Sequence, residues 1–299
     1  MLFEIRRFNS IATQSLNDPS DESQTVLDYL ERNRLSRDFR DFYLIPMSSA
    51  VWSTPPDQML QFPAVSLIRF FHHHGFLGMH TQHPWFTIDG GAKTYVEKLM
   101  APFLSKVMTR RRVQAVTRTP ESVTLKFQDG AREDFDKVIF ACHADQALNL
   151  LSPPKAEEEA LLKPFKYQTN PAALHTDSSV MPKERLAWAS WNVRIGLEGE
   201  PSTHYWMNSL QSVSQKKNYF VSLNTSELAP LKTLKKITFE HPVFNLETIR
   251  AQMDLHALNL RPLTRIYFCG SYFRYGFHED AFTSSLELAR IVLRKPIWQ

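Results

Sequence analysis

The chain has 299 residues, 43% hydrophobic content and a formal net charge of +4, which allows a sizeable core in one large domain or two. Charges of both signs are spread along it, which argues against a nucleic-acid module, and its one dense basic run, Arg110-Arg111-Arg112, reads as a solvated strand or loop edge. Two cysteines, Cys142 and Cys269, exclude a disulfide framework and suit a reducing, cytoplasmic compartment.

Residues 1–15 are helical in pattern but charged at Glu4, Arg6 and Arg7, so they form no signal-peptide block. No apolar run approaches the roughly 18 residues of a membrane span, while peripheral contact with lipid stays open. Helical spacing recurs at Phe3, Phe8, Ile11 and Ala12, and again at Val26, Leu27, Leu30 and Leu35. Asn17-Asp18-Pro19-Ser20 breaks the two, with Asp21 and Ser23 as candidate caps. Thr54-Pro55-Pro56 closes that region, and residues 58–74 resume a helix.

From Trp85 the pattern changes. Residues 85–88 predict a short strand running into Gly90-Gly91, followed by a helix carrying Tyr95, Leu99 and Met100. Val123, Leu125 and Phe127 alternate with polar residues between turn strings, which predicts an antiparallel meander. Val138-Ile139-Phe140-Ala141 is continuously apolar, as in a parallel strand buried on both faces. Residues 186–192, 204–208 and 219–224 read as neighbouring strands of one antiparallel sheet. Residues 245–260 are helical in spacing, and Ile266-Tyr267-Phe268-Cys269 forms a last strand closed by Gly270. A loop follows, and then a helix with Phe282, Leu286, Ala289 and Leu293 on one face and capping-box spacing at Ser284 and Glu287.

Ligands of open parallel sheets bind beyond the carboxyl ends of the strands. Two such ends stand out, Ala141-Cys142-His143 and Gly270-Ser271-Tyr272. The second leads into a helix whose start offers free N–H groups and partial positive charge to a pyrophosphate or a flavin edge.

The string from Ile266 through Ser271, with Tyr275-Gly276-Phe277-His278-Glu279-Asp280-Ala281, resembles the C-terminal FAD signature of the flavin-containing amine oxidase superfamily. More narrowly, the chain is similar to a bacterial group of NAD/FAD-binding, amine-oxidase-like proteins. The shared strings are Trp85 to Gly91, Ala141 to Leu148, Ala187 to Asn192 and Tyr205 to Asn208. The resemblance implies an α/β fold, α+β in part: an FAD/NAD(P)-binding fold lacking its N-terminal Rossmann unit, with a mixed substrate domain of antiparallel sheet and helices. Residues 1–84 and 147–262 would form the substrate domain, and residues 85–146 and 263–299 the FAD domain.

Carried over by position, the resemblance implies an FAD site. Val113 lies near the adenine, Ala141 beside the dinucleotide, and Gly270 and Ser271 near the ribityl phosphate. Phe277, Glu279, Asp280 and Ala281 lie beside the flavin, and Tyr205 and Trp206 on the substrate side of the ring. The substrate is a small molecule, an amine or an apolar, lipid-like compound, the latter matching the 21 phenylalanines. Three departures stand against the pattern. No Gly-x-Gly-x-x-Gly occurs in the chain, Ser271 replaces a usual acid, and Ala281 and Ser285 replace usual glycines. A truncated or degenerate fragment that binds no FAD is the second reading.

The other candidates weigh toward packing or solvation. His72, His73, His74, His80 and His83 read as solvated loop histidines rather than zinc ligands. Cys142 and His143, adjacent at a strand end, point apart and make a poor nucleophile–base pair. His278, Glu279 and Asp280 are either acid/base groups or, the favoured reading, residues that cap a helix and set its loop. No catalytic residue is assigned.

Overall fold

A computed structural model describes residues 1–16, 23–78, 80–195, 201–225 and 232–295. In chain order the helices before the first strand are α1 (Leu2–Ser15), α2 (Val26–Arg32), α3 (Arg37–Phe39), α4 (Ile45–Trp52), α5 (Pro56–Leu60), α6 (Ala64–His73) and α7 (Ala92–Met100). The strands β1 (Val113–Arg118), β2 (Val123–Phe127), β3 (Arg132–Phe135) and β4 (Val138–Phe140) precede α8 (Ala144–Leu150) and α9 (Ala156–Leu162). Then come β5 (Lys166–His175), β6 (Trp191–Ile195), β7 (Pro201–Trp206), α10 (Met207–Gln211), β8 (Phe220–Leu223) and β9 (Thr233–Val243). The chain continues with α11 (Leu246–Leu260), β10 (Ile266–Phe268) and α12 (His278–Leu293). Among the described residues no helix is long and apolar enough to cross a membrane.

Contacts divide the chain into two units, residues 1–106 with 168–241 and residues 107–167 with 242–299. This draws the lines differently from the sequence. Residues 85–106 fall in the first unit, and 147–167 and 242–262 in the second. The reason is local packing, since α8, α9 and α11 pack on one another and on β1 and β10.

The first unit is built on aromatic packing. The Phe8 ring lies 5.3 Å from Phe39 and 6.3 Å from both Tyr29 and Phe71. The Trp52 ring lies 4.7 Å from Phe62 and 4.6 Å from Phe70. Burying one such ring contributes about 2–3 kcal/mol. Half of this unit's phenylalanines are buried in its core, among them Phe8, Phe39, Phe62, Phe70, Phe71 and Phe220, while Phe3, Phe42 and Phe86 are exposed. Helix α2 starts at Thr25, whose hydroxyl takes the Asp28 N–H at 3.1 Å while the Asp28 carboxylate takes the Thr25 N–H at 2.9 Å. Of the caps expected from sequence, Asp21 lies outside the described residues, and Ser23 stands before the helix without capping it.

The sheet of this unit has the order β6-β7-β8-β5-β9. Strands β6/β7, β7/β8 and β8/β5 pair antiparallel, with Trp191 opposite Tyr205, Thr203 opposite Leu223 and Ala172 opposite Leu223. Three expected strands are corrected. Residues 85–88 form no strand, because no neighbouring chain pairs with them, and Phe86 is 89% exposed. Residues 185–187 make a 3-10 turn, tied down by the Trp188 indole N–H on the Pro182 carbonyl, so β6 begins only at Trp191. Strand β7 stops at Trp206, where α10 takes over Met207 and Asn208.

The second unit holds the expected meander, β1-β2-β3, with Arg118 opposite Val123 and Val123 opposite Phe135. It also holds a parallel pair, β4 beside β10, with Phe140 opposite Phe268. Their rings stack 5.5 Å apart. The outer edge of β10 is closed by Asn259 of α11. Its amide donates to the Phe268 carbonyl at 2.8 Å and accepts the Phe268 N–H at 2.9 Å. The outer edge of β4 has no strand beside it among the described residues. The expectation that residues 138–141 are buried on both faces is therefore corrected. Ile139 is 50% exposed while its register partner Tyr267 is buried, and Ala141 is exposed.

Candidate functional site

In the second unit the parallel pairing brings two strand ends side by side. The Cys269 N–H donates to the Phe140 carbonyl at 2.9 Å, which carries the pairing past the carboxyl ends of β4 and β10 and sets Gly270 beside Cys142. Gly270 is used in two ways. Its N–H donates to the Ser284 hydroxyl at 2.9 Å, and a Cβ there would meet the Tyr272 ring at 2.7 Å. Ser284 is thus a mid-helix anchor for the loop and not the cap its spacing promised, because α12 begins six residues earlier. Ser271 opens a short 3-10 turn whose carbonyl takes the N–H groups of Arg274 and Gly276.

Phe277 is the N-cap residue of α12, and its N–H donates to the Asp280 carboxylate at 2.9 Å. Burial pushes the Asp280 carboxyl above its usual value, against the lowering effect of its bonds from Phe277 and Tyr275. Glu279 is exposed, and Ala281 offers its carbonyl to the hydroxyls of Ser284 and Ser285. The N–H groups of Glu279 and Asp280 find no acceptor among the described residues. The Tyr272 hydroxyl is buried without a partner among them, and burial holds it protonated. Two unspent N–H groups therefore stand on the first turn of a 16-residue helix beside the strand-end loop, while the Tyr272 ring is enclosed against Phe165 and Phe273. A free first turn of this kind suits an electron-rich ligand edge. Of the residues singled out in the sequence, Ala141, Gly270, Ser271, Phe277, Glu279, Asp280 and Ala281 gather on these two strand ends and the α12 start. Val113 does not, lying at the first position of β1 in the meander.

The first unit contains a cavity of about 490 Å³, within the usual range of small-molecule sites. Its walls come from the α4–α5 junction and one face of the sheet, among them Ser49, Ser53, Gln168, Thr203 and Leu223. Ser53 ends α4 in the left-handed region, φ 52°, and Pro55-Pro56 then turns the chain into α5. The Gln168 amide N–H bonds to the Ser53 carbonyl, while Gln168 Oε1 and Ser49 Oγ are buried without partners. Among the described residues Asp57, at the exposed rim, is the one charged lining residue, and none is Lys or Arg. Acceptors outnumber donors here, so the wall suits a ligand that brings N–H or O–H groups.

Tyr205 reaches this wall. Its hydroxyl bonds to the Ser53 side chain, and burial pushes the phenol above its ordinary value. Trp206, the next residue along the strand, points to the opposite face. There it packs on Trp188 and Phe220, with the Arg185 guanidinium 4.3 Å from its ring centroid. The two residues cannot both face one ligand, which corrects the expectation for the pair. Sequence reasoning missed the cavity because it missed β5. Pro171 interrupts that segment's strand signal, and Ser53-Thr54-Pro55-Pro56 was legible only as a helix stop.

A model of the family described as "Flavin containing amine oxidoreductase" matches residues 4–227. The chain belongs to the flavin-containing amine oxidoreductase family. Solved structures agree in fold with this amine oxidoreductase. A putrescine oxidase bound to putrescine is 12% identical with a TM-score of 0.67, and the match covers 98% of this chain and 75% of that one. The cyclohexylamine oxidase of Brevibacterium oxydans IH-35A is 13% identical with a TM-score of 0.62, over the same shares. A fatty acid isomerase from P. acnes is 11% identical with a TM-score of 0.62, covering 96% of this chain and 73% of that one. No curated protein sequence matches the chain. The amine oxidoreductase fold is therefore shown by family and by likeness of architecture.

Proposed function

We propose that the chain is an FAD-dependent oxidoreductase that oxidises a small molecule. The observation that carries this reading is the free first turn of α12, with the unspent N–H groups of Glu279 and Asp280, standing directly after the Gly270 strand-end loop in a chain of the flavin-containing family. When bound, flavin supplies the acceptor for a hydride from a carbon of the substrate. The chain's own part is to hold and orient. The α12 start offers N–H groups and helix dipole to the electron-rich ring edge. Tyr272 packs under the loop and holds Gly270 in place, and Ala141 and Gly270 keep the strand ends free of bulky side chains.

For the substrate, the hydroxyl and amide groups set in the mixed wall of the first unit's cavity support a small molecule with hydrogen-bond donors, an amine such as the putrescine of the related oxidase being the nearest chemistry. The lipid-like substrate inferred from phenylalanine content loses its footing, because many of those rings fill the core. The test is to add FAD to the purified chain and follow quenching of flavin emission, then assay hydride removal from short amines and from fatty acids. Saturable quenching with amine turnover supports the reading, while turnover of fatty acids alone contradicts its substrate half.

A second reading rests on the outer edge of β4, which no described strand flanks, and on α7, none of whose residues is buried. On that reading the chain holds too little of the cradle to retain FAD and has no catalytic activity. Absence of quenching at any FAD concentration supports it.

A further inference from the structure

Two buried imidazoles on one face of the five-stranded sheet are joined by serine hydroxyls into a single chain. His175, His204, Ser202 and Ser222 are all buried. His175 Nε2 lies 2.7 Å from Ser222 Oγ, His204 Nδ1 lies 2.7 Å from the same oxygen, and His204 Nε2 lies 2.9 Å from Ser202 Oγ. The backbone N–H of Asp177 donates to His175 Nδ1 at 3.1 Å, so that nitrogen carries no proton and Nε2 does. One direction then gives the hydrogens of both rings and of Ser222 an acceptor each. His175 donates to Ser222, Ser222 donates to His204 Nδ1, and His204 Nε2–H donates to Ser202. The chain crosses β5, β8 and β7, and on the other face the same strands present Leu223 and Thr203 to the cavity.

We infer that this His–Ser chain is an acid-released lock on the cavity-bearing sheet, holding its three strands together while both rings are neutral and opening when either takes a proton. The inference rests on the sheet alone and stands apart from the flavin reading. A proton on His204 Nδ1 sets two N–H groups against the Ser222 oxygen and leaves the Ser222 hydrogen without an acceptor. A proton on His175 Nδ1 sets that N–H against the Asp177 N–H.

The charged groups around the pair act in both directions. Asp177 favours a charged His175, but Lys232 bonds Asp177 at 2.9 Å and offsets it. Arg194 on β6 disfavours charge on His204, and each imidazole disfavours it on the other. Arg185, stacked on Trp206, adds another positive group on that face. Burial is the largest cause at both rings, lowering His175 and taking His204 down to about 4. A lowered histidine gives stability that is complete above its ordinary value of 6.5 and is lost as pH falls toward about 4.

The test is imidazole nitrogen NMR of the full chain, titrated from about pH 7 to about pH 4. The expected result is two Nε2–H tautomers, both titrating below the ordinary histidine value, with the Thr203 and Leu223 amide signals moving at the His204 midpoint. In parallel, His204→Gln should lower the proton uptake of unfolding near pH 5 by about one proton. An Nδ1–H tautomer at either ring, titration at the ordinary value, amides that ignore the His204 midpoint, or an unchanged proton uptake in the variant overturns the lock. If His204→Gln fails to fold, the wild-type titration decides alone.

Discussion

The Arg118 guanidinium grips the Glu158 carboxylate through two parallel bonds of 2.6 and 2.7 Å. Glu158 is buried at the start of α9, where it also accepts the Lys155 N–H at 2.8 Å. It therefore ties the meander strand β1 to the helical layer of the second unit. Glu158→Ala leaves Arg118 without its partner and the helix without its cap. The expected loss is about 3 kcal/mol, read from urea unfolding, with Glu158→Gln recovering part of it.

Gly270 is held bare by Tyr272. Gly270→Ala places a methyl group 2.7 Å from a buried ring, an overpacking that costs about 1–3 kcal/mol. Tyr272→Leu in the same chain should relieve part of that cost. A double-mutant cycle on thermal unfolding measures the coupling, and additive losses would show that the close contact is not the cause.

Tyr205 and Trp206 should separate by assay. Tyr205→Phe removes only the hydroxyl bonded to Ser53 at the cavity wall, so stability falls by about 1 kcal/mol while amine affinity changes. Trp206→Ala removes the ring under Arg185 and beside Trp188, so stability falls by about 2–3 kcal/mol with little effect on affinity in the folded fraction. Titration calorimetry beside urea unfolding distinguishes the two.

Asp280 gives a pH signature opposite to that of the buried histidines. Burial raises its folded value above 3.8, so its contribution to stability is present below the unfolded value and is lost as pH rises through the folded one. Asp280→Asn should therefore be most destabilising, relative to wild type, at the acid end of the range, with the gap narrowing toward neutrality. Unfolding at several pH values checks the sign.

The elements legible in the sequence were those with local signals. The meander carried alternation and turn strings. The β10–α12 unit carried an apolar run, a glycine and helical spacing, but the face of α12 that is buried is Asp280, Ser284 and Leu288, while Phe282 and Leu293 of the expected stripe are exposed. Strand β5 carried none, since Asn170-Pro171 breaks it, and β9 alternates Ile237 and Phe239 with polar residues but leaves most of its length exposed. Residues 85–88 carried a strand signal that failed, because a strand needs a neighbour and sequence cannot supply one. Of the site, the Gly270 loop was readable from motif. The cavity was not, because Ser49 and Gln168 are far apart in sequence and meet only through tertiary packing.

The central claim is that the Gly270 loop and the start of α12 hold a flavin. Titrating FAD into the wild-type chain and into Glu279→Pro, which removes one first-turn N–H at a helix position where proline is tolerated, with flavin emission as the readout, addresses it most directly. Saturable quenching by wild type, with weaker affinity in Glu279→Pro, is the predicted result. No quenching by a folded wild-type chain, or equal affinity in the two, would contradict the account.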